Sequence, residues 1–144
     1  MIHSLIFLII VERNPMAENP KPHKKVHGIA HIFAAASYSW FGVKRLWGET
    51  AFRQELLAGG FVLVFFAMIG ADTHFFIFAI LLILLTLAVE AINTAIEEIV
   101  DLVSPEWSLA AKHAKDLGSF AVFCMLCSNG IFVLVVTLVT FDWI

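Results

Sequence analysis

The stretch that most restricts the fold is the run from Phe75 to Val89, which has no charged residue and leads straight into an acidic segment ending at Asp101. At the helical period of about 100° per residue, the polar residues of that segment share one face. This acidic stripe consists of Glu90, Asn93, Thr94, Glu97 and Asp101. A charged side chain at membrane depth costs a few kcal/mol. The stripe therefore either meets a cation, a polar helix or water, or forms the solvated end of a helix.

Composition indicates what surrounds the stripe. Of the 144 residues, 60% are hydrophobic and 15% are charged, which is typical of an integral membrane protein. The length suits one small membrane domain and excludes a two-lobed kinase or a dinucleotide-binding fold. The net charge of −3 gives no sign of a nucleic-acid partner. Cys124 and Cys127 lie in an apolar run without a second ligand pair, so we predict packing rather than a redox or zinc role.

Three apolar segments are long enough to cross a bilayer. We predict spans over about 51–71, 75–103 and 105–141. Gly59 and Gly60 allow close helix approach in the first span. Ser104, Pro105 and Glu106 predict the start of the third helix, because a hydroxyl caps free amides, proline fits the first turn and an acid complements the helix dipole. The predicted fold class is an all-α integral membrane protein with three transmembrane helices.

The N-terminal part divides into a tail and a surface helix. Residues 1–22 are predicted to be a flexible tail, because the apolar run 2–11 is too short to span and lacks a basic flank, and Met16 is an alternative start. Residues 26–49 place aromatic side chains between basic ends, which predicts an amphipathic helix in the membrane plane. His23, His27 and His31 recur four residues apart. We interpret them as interfacial rather than metal-binding, because no carboxylate or cysteine completes a ligand set.

The distribution of basic residues predicts the orientation. The loop around Asp72 has no Lys or Arg, whereas the segments before the first span and before the third span are basic. The N-terminus is therefore predicted to be cytoplasmic and the C-terminus external. At about 1.5 Å per residue, Glu90 lies about 22 Å from the outer end of its span, and Glu97 about 10 Å further toward the cytoplasm.

These depths match the needs of phosphoryl transfer to a lipid. A carboxylate at the headgroup boundary can take a proton from a lipid hydroxyl, and another in the aqueous phase can hold the Mg²⁺ of a nucleotide. Lys115 is either a phosphate partner or a snorkelling interfacial lysine. The chain contains no glycine-rich phosphate loop, so the pattern permits a membrane kinase without demonstrating one. The alternative from another class is a small proton-coupled transporter subunit, which would favour a carboxylate at the bilayer midplane.

Four strings carry a resemblance to a known family. They are Glu90-Ala-Ile-Asn-Thr-Ala-Ile-Glu97, Tyr38-Ser-Trp-Phe-Gly42, Glu49-Thr-Ala-Phe-Arg-Gln-Glu55 and Ala114-Lys-Asp-Leu-Gly-Ser119. In order and spacing they resemble the small prokaryotic diacylglycerol kinase family over about residues 31–141. The resemblance implies a homotrimer in the bacterial inner membrane whose three-span subunits each carry an N-terminal amphipathic surface helix. It also implies transfer of the γ-phosphoryl group of Mg–ATP to diacylglycerol, which gives phosphatidic acid.

The resemblance also implies roles for individual residues. Glu90 is the implied catalytic base, with Asn93 supporting it, and Glu49 and Glu97 are the implied Mg²⁺ ligands. The implied nucleotide-binding residues are Tyr38, Glu49, Glu97, Glu106, Lys115 and Asp116. The implied lipid-binding residues are Trp47, Gln54, Glu90 and Ser119.

The chain departs from the family pattern at three positions. His31 and Ala34 stand where the pattern has basic residues, and Ser108 stands where it has histidine. These departures bear on nucleotide affinity and less on the chemistry at Glu90. Lys24 and Lys25 are the candidates to replace the missing basic contacts to phosphate. A relative of the same family acts on undecaprenol, so undecaprenol kinase remains the alternative function within the family.

Overall fold

The computed structural model describes the backbone of residues 29–144 and the side chains of residues 36–144. The predicted tail, His23, His27 and the predicted start of the surface helix at residue 26 lie outside this part, as do the side chains of His31 and Ala34. Ser37–Ile144 form one compact unit, which contains both clefts described below.

Four helices make up the described chain. They are α1 (Ile29–Leu46), α2 (Thr50–Ile69), α3 (Thr73–Val103) and α4 (Leu109–Thr140). By length and composition, α2, α3 and α4 are each able to cross a membrane. The prediction of an all-helical chain with three membrane-spanning segments is confirmed to that extent.

The start of α4 differs from the sequence prediction. The helix begins at Leu109, and its cap is Ser108, whose Oγ accepts a hydrogen bond of 3.2 Å from the backbone N–H of Ala111. The predicted cap, Ser104, instead donates within the loop to the carbonyl oxygen of Glu106 and lies 3.0 Å from the Ser108 hydroxyl. The prediction of a helix start at Ser104 was wrong because two serines four residues apart offer the same capping chemistry, and the loop uses the first for itself.

A hydrophobic cluster joins the three long helices at the end of the bundle near the α2–α3 turn. Phe66, Ala79 and Val136 form a buried cluster with one residue from each of the three long helices. The ring of Phe66 lies edge-on to those of Phe76 and Phe132, with centroids 6.0 Å apart in both pairs. Such pairs add about 0.5–1.5 kcal/mol to the gain from burial alone. Toward the other end, the buried residues include Phe52 and Val122 together with polar side chains such as Glu90 and Asn93.

Gly59 sets the distance between α2 and α3. A β-carbon at this position would lie 2.9 Å from Ile83, so a larger residue would force the helices apart. A β-carbon at Gly60 would meet no atom within 4 Å, so this glycine faces outward. The predicted role in close approach is therefore confirmed for Gly59, and Gly60 makes no such approach among the described residues of this chain.

Candidate active site

Most of the acidic stripe faces one cleft, which we call the acidic cleft. Its volume is about 270 Å³. It is lined by Glu49, Ala51, Glu90, Asn93, Thr94, Glu97, Ser119 and Val122. Three elements therefore contribute to it: the loop before α2 with the first turn of that helix, the polar face of α3 and the first half of α4. The helical period places the α3 residues together, as the sequence predicted.

The α3 side of the cleft is largely shielded from solvent. Glu90 and Asn93 are only 4% and 8% exposed. The Asn93 amide donates from Nδ2 to Oε1 of Glu97 at 3.1 Å, one helical turn further along. The other amide atom, Oδ1, is buried and has no hydrogen-bond partner among the described residues. A buried acceptor without a partner is costly, and this oxygen is packed against Gly118 of α4.

Glu49 is held at the cleft by the short connection between α1 and α2. The Arg53 guanidinium donates from Nη1 to the carbonyl oxygens of Trp47, at 2.8 Å, and Gly48, at 3.4 Å. Its Nη2 donates to the Thr50 hydroxyl at 3.2 Å. These bonds hold the backbone immediately before Glu49 and the Thr50 side chain immediately after it, so Glu49 is kept at the edge of the cleft.

A second arginine contacts the Glu49 carboxylate directly. Arg45 donates from Nη1 to Oε1 of Glu49 at 2.6 Å and from Nε to Oε1 of Glu98 on α3. Hydrogen bonds to Glu49 and then Glu98 raise the pKa of the Arg45 guanidinium above its ordinary value. Arg45 therefore remains a cation at every physiological pH.

A second cleft, the polar cleft, lies between the end of α3 and the start of α4. It has a volume of about 410 Å³. Its polar lining is formed by Asp101, Ser104, Glu106, Ser108, Lys112, Lys115 and Asp116. Lys115 donates to Asp101 at 2.5 Å, and Lys112 donates to Asp116 at 2.6 Å. Both lysines and both acids are at least one-third exposed, so these pairs can exchange partners with a ligand at little cost.

The residues singled out from the sequence thus fall into three groups. Glu49, Glu90, Asn93, Glu97 and Ser119 line the acidic cleft. Glu106, Lys115 and Asp116 line the polar cleft. Tyr38, Trp47 and Gln54 lie on the exposed surface and line neither cleft, with Tyr38 and Trp47 66% and 57% exposed. Asp101 of the stripe belongs to the polar cleft, because it lies two to three turns beyond Glu90 and Asn93 along α3.

The acidic cleft offers oxygen ligands of the kind that Mg²⁺ prefers. Within residues 36–144, no three acids, histidines or cysteines come close enough to enclose a metal ion by themselves. Mg²⁺ does not need such a cage, since it commonly uses one or two carboxylates together with water and phosphate oxygens. Glu49 and Glu97 supply two carboxylates to the lining of this cleft. The donor set therefore fits a magnesium ion that arrives with a nucleotide.

Two features of the structure were not predicted from the sequence. The Arg45–Glu98 contact joins residues 53 positions apart, and no local pattern signals it. The other is a polar cluster inside the bundle, where Asn129 donates to the Thr86 hydroxyl at 2.8 Å beside the buried carboxyl of Glu55. An acid and an asparagine within apolar runs are a recognisable signal for such a cluster.

Comparisons with known proteins identify a common family. The family model described as prokaryotic diacylglycerol kinase matches residues 37–138. A diacylglycerol kinase of a Sinorhizobium species is 54% identical over 111 residues, which are 77% of this chain and 81% of the relative. Diacylglycerol kinase of Escherichia coli strain K12 is 38% identical over 96 residues, 66% of this chain and 79% of the relative. That of Pseudomonas aeruginosa is 37% identical over 109 residues, 75% of this chain and 89% of the relative.

Proposed function

Since the chain belongs to the prokaryotic diacylglycerol kinase family, we propose that this lipid kinase transfers the γ-phosphoryl group of Mg–ATP to the hydroxyl of diacylglycerol, giving phosphatidic acid and ADP. The observation that carries the proposal is the acidic cleft: a buried carboxylate, Glu90, next to two further carboxylates at one end of three membrane-length helices. Phosphoryl transfer to a lipid needs these two kinds of acid side by side, one for the hydroxyl and one for the cation.

Glu90 is the proposed general base. Its carboxylate accepts the proton of the lipid hydroxyl while the hydroxyl oxygen bonds to the γ-phosphorus, and the bond to the β–γ bridging oxygen breaks to release ADP. The shielded position of Glu90 supports this role, because water is kept from competing as the acceptor. Asn93, hydrogen-bonded to Glu97, holds the polar face of α3 in one arrangement.

Glu49 and Glu97 are the proposed ligands of the nucleotide's Mg²⁺, which when bound neutralises charge on the β- and γ-phosphates. The fixed backbone immediately before Glu49 supports this role, since a ligand held near its binding position loses less freedom on binding. The polar cleft next to it is the proposed nucleotide site. There Lys115 is proposed to exchange Asp101 for phosphate oxygen, with Glu106 and Asp116 contacting the rest of the nucleotide.

We further propose that the active enzyme is a homotrimer. The support is that Tyr38, Trp47 and Gln54, which the family pattern assigns to nucleotide and lipid contacts, lie outside both clefts of their own subunit. A neighbouring subunit is then the natural source of these side chains.

The proposed location is the bacterial inner membrane, with α1 on the cytoplasmic surface. The basic residues before α2 and at the start of α4 support a cytoplasmic N-terminus. Lys44 lies 5.9 Å from the ring centre of Trp40, an arrangement suited to the headgroup region. Both clefts then open toward the compartment that contains ATP.

One experiment tests the activity and the acceptor together. Purified protein in mixed micelles is incubated with γ-labelled ATP and either diacylglycerol or undecaprenol, with and without Mg²⁺. We expect label in phosphatidic acid only when Mg²⁺ is present. Label that goes only to undecaprenol would overturn the acceptor, and the absence of label with both lipids would overturn the proposed activity.

A further inference from the structure

The guanidinium of Arg45 joins two carboxylates that belong to different parts of the chain. Its Nη1 contacts Glu49, four residues later, and its Nε contacts Glu98 in the second half of α3. Among the described residues, Arg45 is the cation paired with the acids at and next to the acidic cleft, while Lys112 and Lys115 pair with acids of the polar cleft.

The two contacts differ in their effect on the site. Glu49 lines the acidic cleft and is a proposed metal ligand, whereas Glu98 does not line it. A divalent cation on the Glu49 carboxylate would stand within a few ångströms of Nη1, where the two positive charges repel. Arg45 and a metal therefore compete for Glu49.

The Arg45–Glu49 pair is easy to open. The side chains are 51% and 37% exposed, and ion pairs at such sites contribute little because water solvates the separated charges nearly as well. A doubly charged ion that also brings phosphate oxygens interacts more strongly with the carboxylate than one guanidinium does.

The bond to Glu98 keeps the guanidinium of Arg45 in place when the Arg45–Glu49 bond breaks. It anchors Nε at α3, so the fork of the guanidinium remains beside the acidic cleft with Nη1 and Nη2 able to donate to a new partner. The fork of two parallel N–H donors matches the spacing of phosphate oxygens, and those oxygens arrive with the metal.

We propose that Arg45 is a positioning residue with two partners: it neutralises Glu49 while the site is empty, and it is displaced by the incoming metal onto the nucleotide phosphates, beside which Glu98 retains it. This inference rests on the proposed function, since it takes Glu49 as a ligand of the Mg²⁺ that accompanies ATP. It adds a phosphate contact that lies on the surface helix and not in either cleft.

The test uses binding of the metal and of the nucleotide as separate measurements. Mn²⁺ binding in the absence of nucleotide is followed by electron paramagnetic resonance, and binding of Mn–ATP is followed by calorimetry, both on the full chain in detergent micelles. In Arg45→Gln we expect Mn²⁺ alone to bind about two- to fivefold more tightly, because a competing cation is gone. If Arg45 had no phosphate contact, Mn–ATP would show the same gain in affinity. We expect it to bind at least about tenfold more weakly than that, because charge-assisted contacts are lost.

The matched control is Lys44→Gln. It removes the same charge from the preceding residue, whose ammonium group faces Trp40. Both affinities should then remain close to those of the unmodified protein. A change in Arg45→Gln that Lys44→Gln reproduces would show a general effect of surface charge and would overturn the proposal.

Glu98→Gln separates the two halves of the role. It leaves the Arg45–Glu49 bond in place but removes the charged anchor, so Mn²⁺ alone should bind no more tightly while Mn–ATP binds more weakly. If Arg45→Gln lowers or leaves unchanged the affinity for Mn²⁺ alone, or if Mn–ATP affinity is unaffected in both variants, the proposal is wrong. The unmodified protein distinguishes this from failure of the proposed function, because only the latter predicts no lipid phosphorylation and no Mn–ATP binding at all.

Discussion

Gly118 of α4 lies against the side-chain oxygen of Asn93 on α3, so closely that a β-carbon at position 118 would overlap Oδ1. This contact brings the two helices together one turn from Glu90 and beside the wall that carries Ser119. It also explains why the Asn93 amide has one arrangement: Nδ2 is bonded to Glu97, and Oδ1 is confined by the glycine.

We predict that Gly118→Ala lowers both stability and turnover. The added methyl group must displace the Asn93 amide or separate α3 from α4, and overpacking of this kind costs about 1–3 kcal/mol. Because Asn93 lies between Glu90 and Glu97, we expect turnover to fall more than the affinity for the lipid. Unfolding in mixed micelles and steady-state kinetics measure the two effects.

Gly130→Ala is the control, since it is in the same helix and a β-carbon there would meet no atom of the described residues within 4 Å. Alanine is the better helix former, so this variant should be as stable as the unmodified protein or slightly more so. Equal behaviour of the two variants would show that the contact with Asn93 has no functional weight.

Glu97→Gln should raise the Mg²⁺ requirement. The amide oxygen can still accept the Asn93 hydrogen bond, so the shape is kept while the negative charge needed by a hard cation is lost. Loss of a group that only hydrogen-bonds to a metal ligand weakens metal binding about 10- to 100-fold, and loss of a ligand should cost at least as much. Titration of activity with Mg²⁺ measures the concentration of the ion that the variant requires. An unchanged requirement would move the metal site to Glu98 or Asp101.

Asn129→Leu should destabilise the bundle modestly. The variant removes the bond from Nδ2 to the Thr86 hydroxyl, which joins α4 to α3 inside the membrane-length segments. Such bonds contribute about 0.6 kcal/mol on average and up to about 1.7 kcal/mol. Ser128→Ala is the comparison, because it removes only a bond within α4, to the carbonyl of Cys124. Stability of Asn129→Leu equal to that of Ser128→Ala would show that the interhelical bond contributes nothing measurable.

The sequence was sufficient for those features that depend on helical period alone. The uncharged run before Glu90 predicts a membrane-length helix, and the 100° period places Glu90, Asn93, Thr94 and Glu97 on one face, as the acidic cleft has them. The same reasoning cannot divide the stripe between two clefts, since that depends on where α4 begins relative to Asp101.

Contacts between distant parts of the chain could not be predicted. Arg45 pairs with Glu98 because the α1–α2 connection turns the end of α1 toward α3, and this direction is set by Arg53 binding the carbonyl oxygens of the connection. Hydropathy taken residue by residue places Glu55 at the end of a polar segment, although its carboxyl is buried in the bundle. Prediction and structure differ because hydropathy along the chain does not show which face of a helix points into the bundle.

The orientation prediction can be tested by cysteine labelling in a background without Cys124 and Cys127. Asp72→Cys marks the α2–α3 turn and Trp107→Cys the α3–α4 connection, and both positions are exposed. The positive-inside rule predicts that an impermeant reagent labels position 72 from outside intact cells and position 107 only after the membrane is opened. Labelling of position 72 only from the cytoplasmic side would reverse the topology and move both clefts away from ATP.

Glu90→Gln should remove chemistry while leaving binding intact. Glu90 is 4% exposed and lines the acidic cleft together with Ser119, whereas Glu49, the proposed Mg²⁺ ligand, is far more open to solvent. Loss of a general base typically lowers the rate by about 10²–10⁴. We therefore expect turnover to fall by at least that order, with Mg–ATP affinity and oligomeric state unchanged. Asp72→Asn, at the opposite end of the same helix, is the control and should retain normal turnover. Near-normal turnover in Glu90→Gln, or loss that is fully explained by failed assembly, would contradict the role of Glu90 as the base.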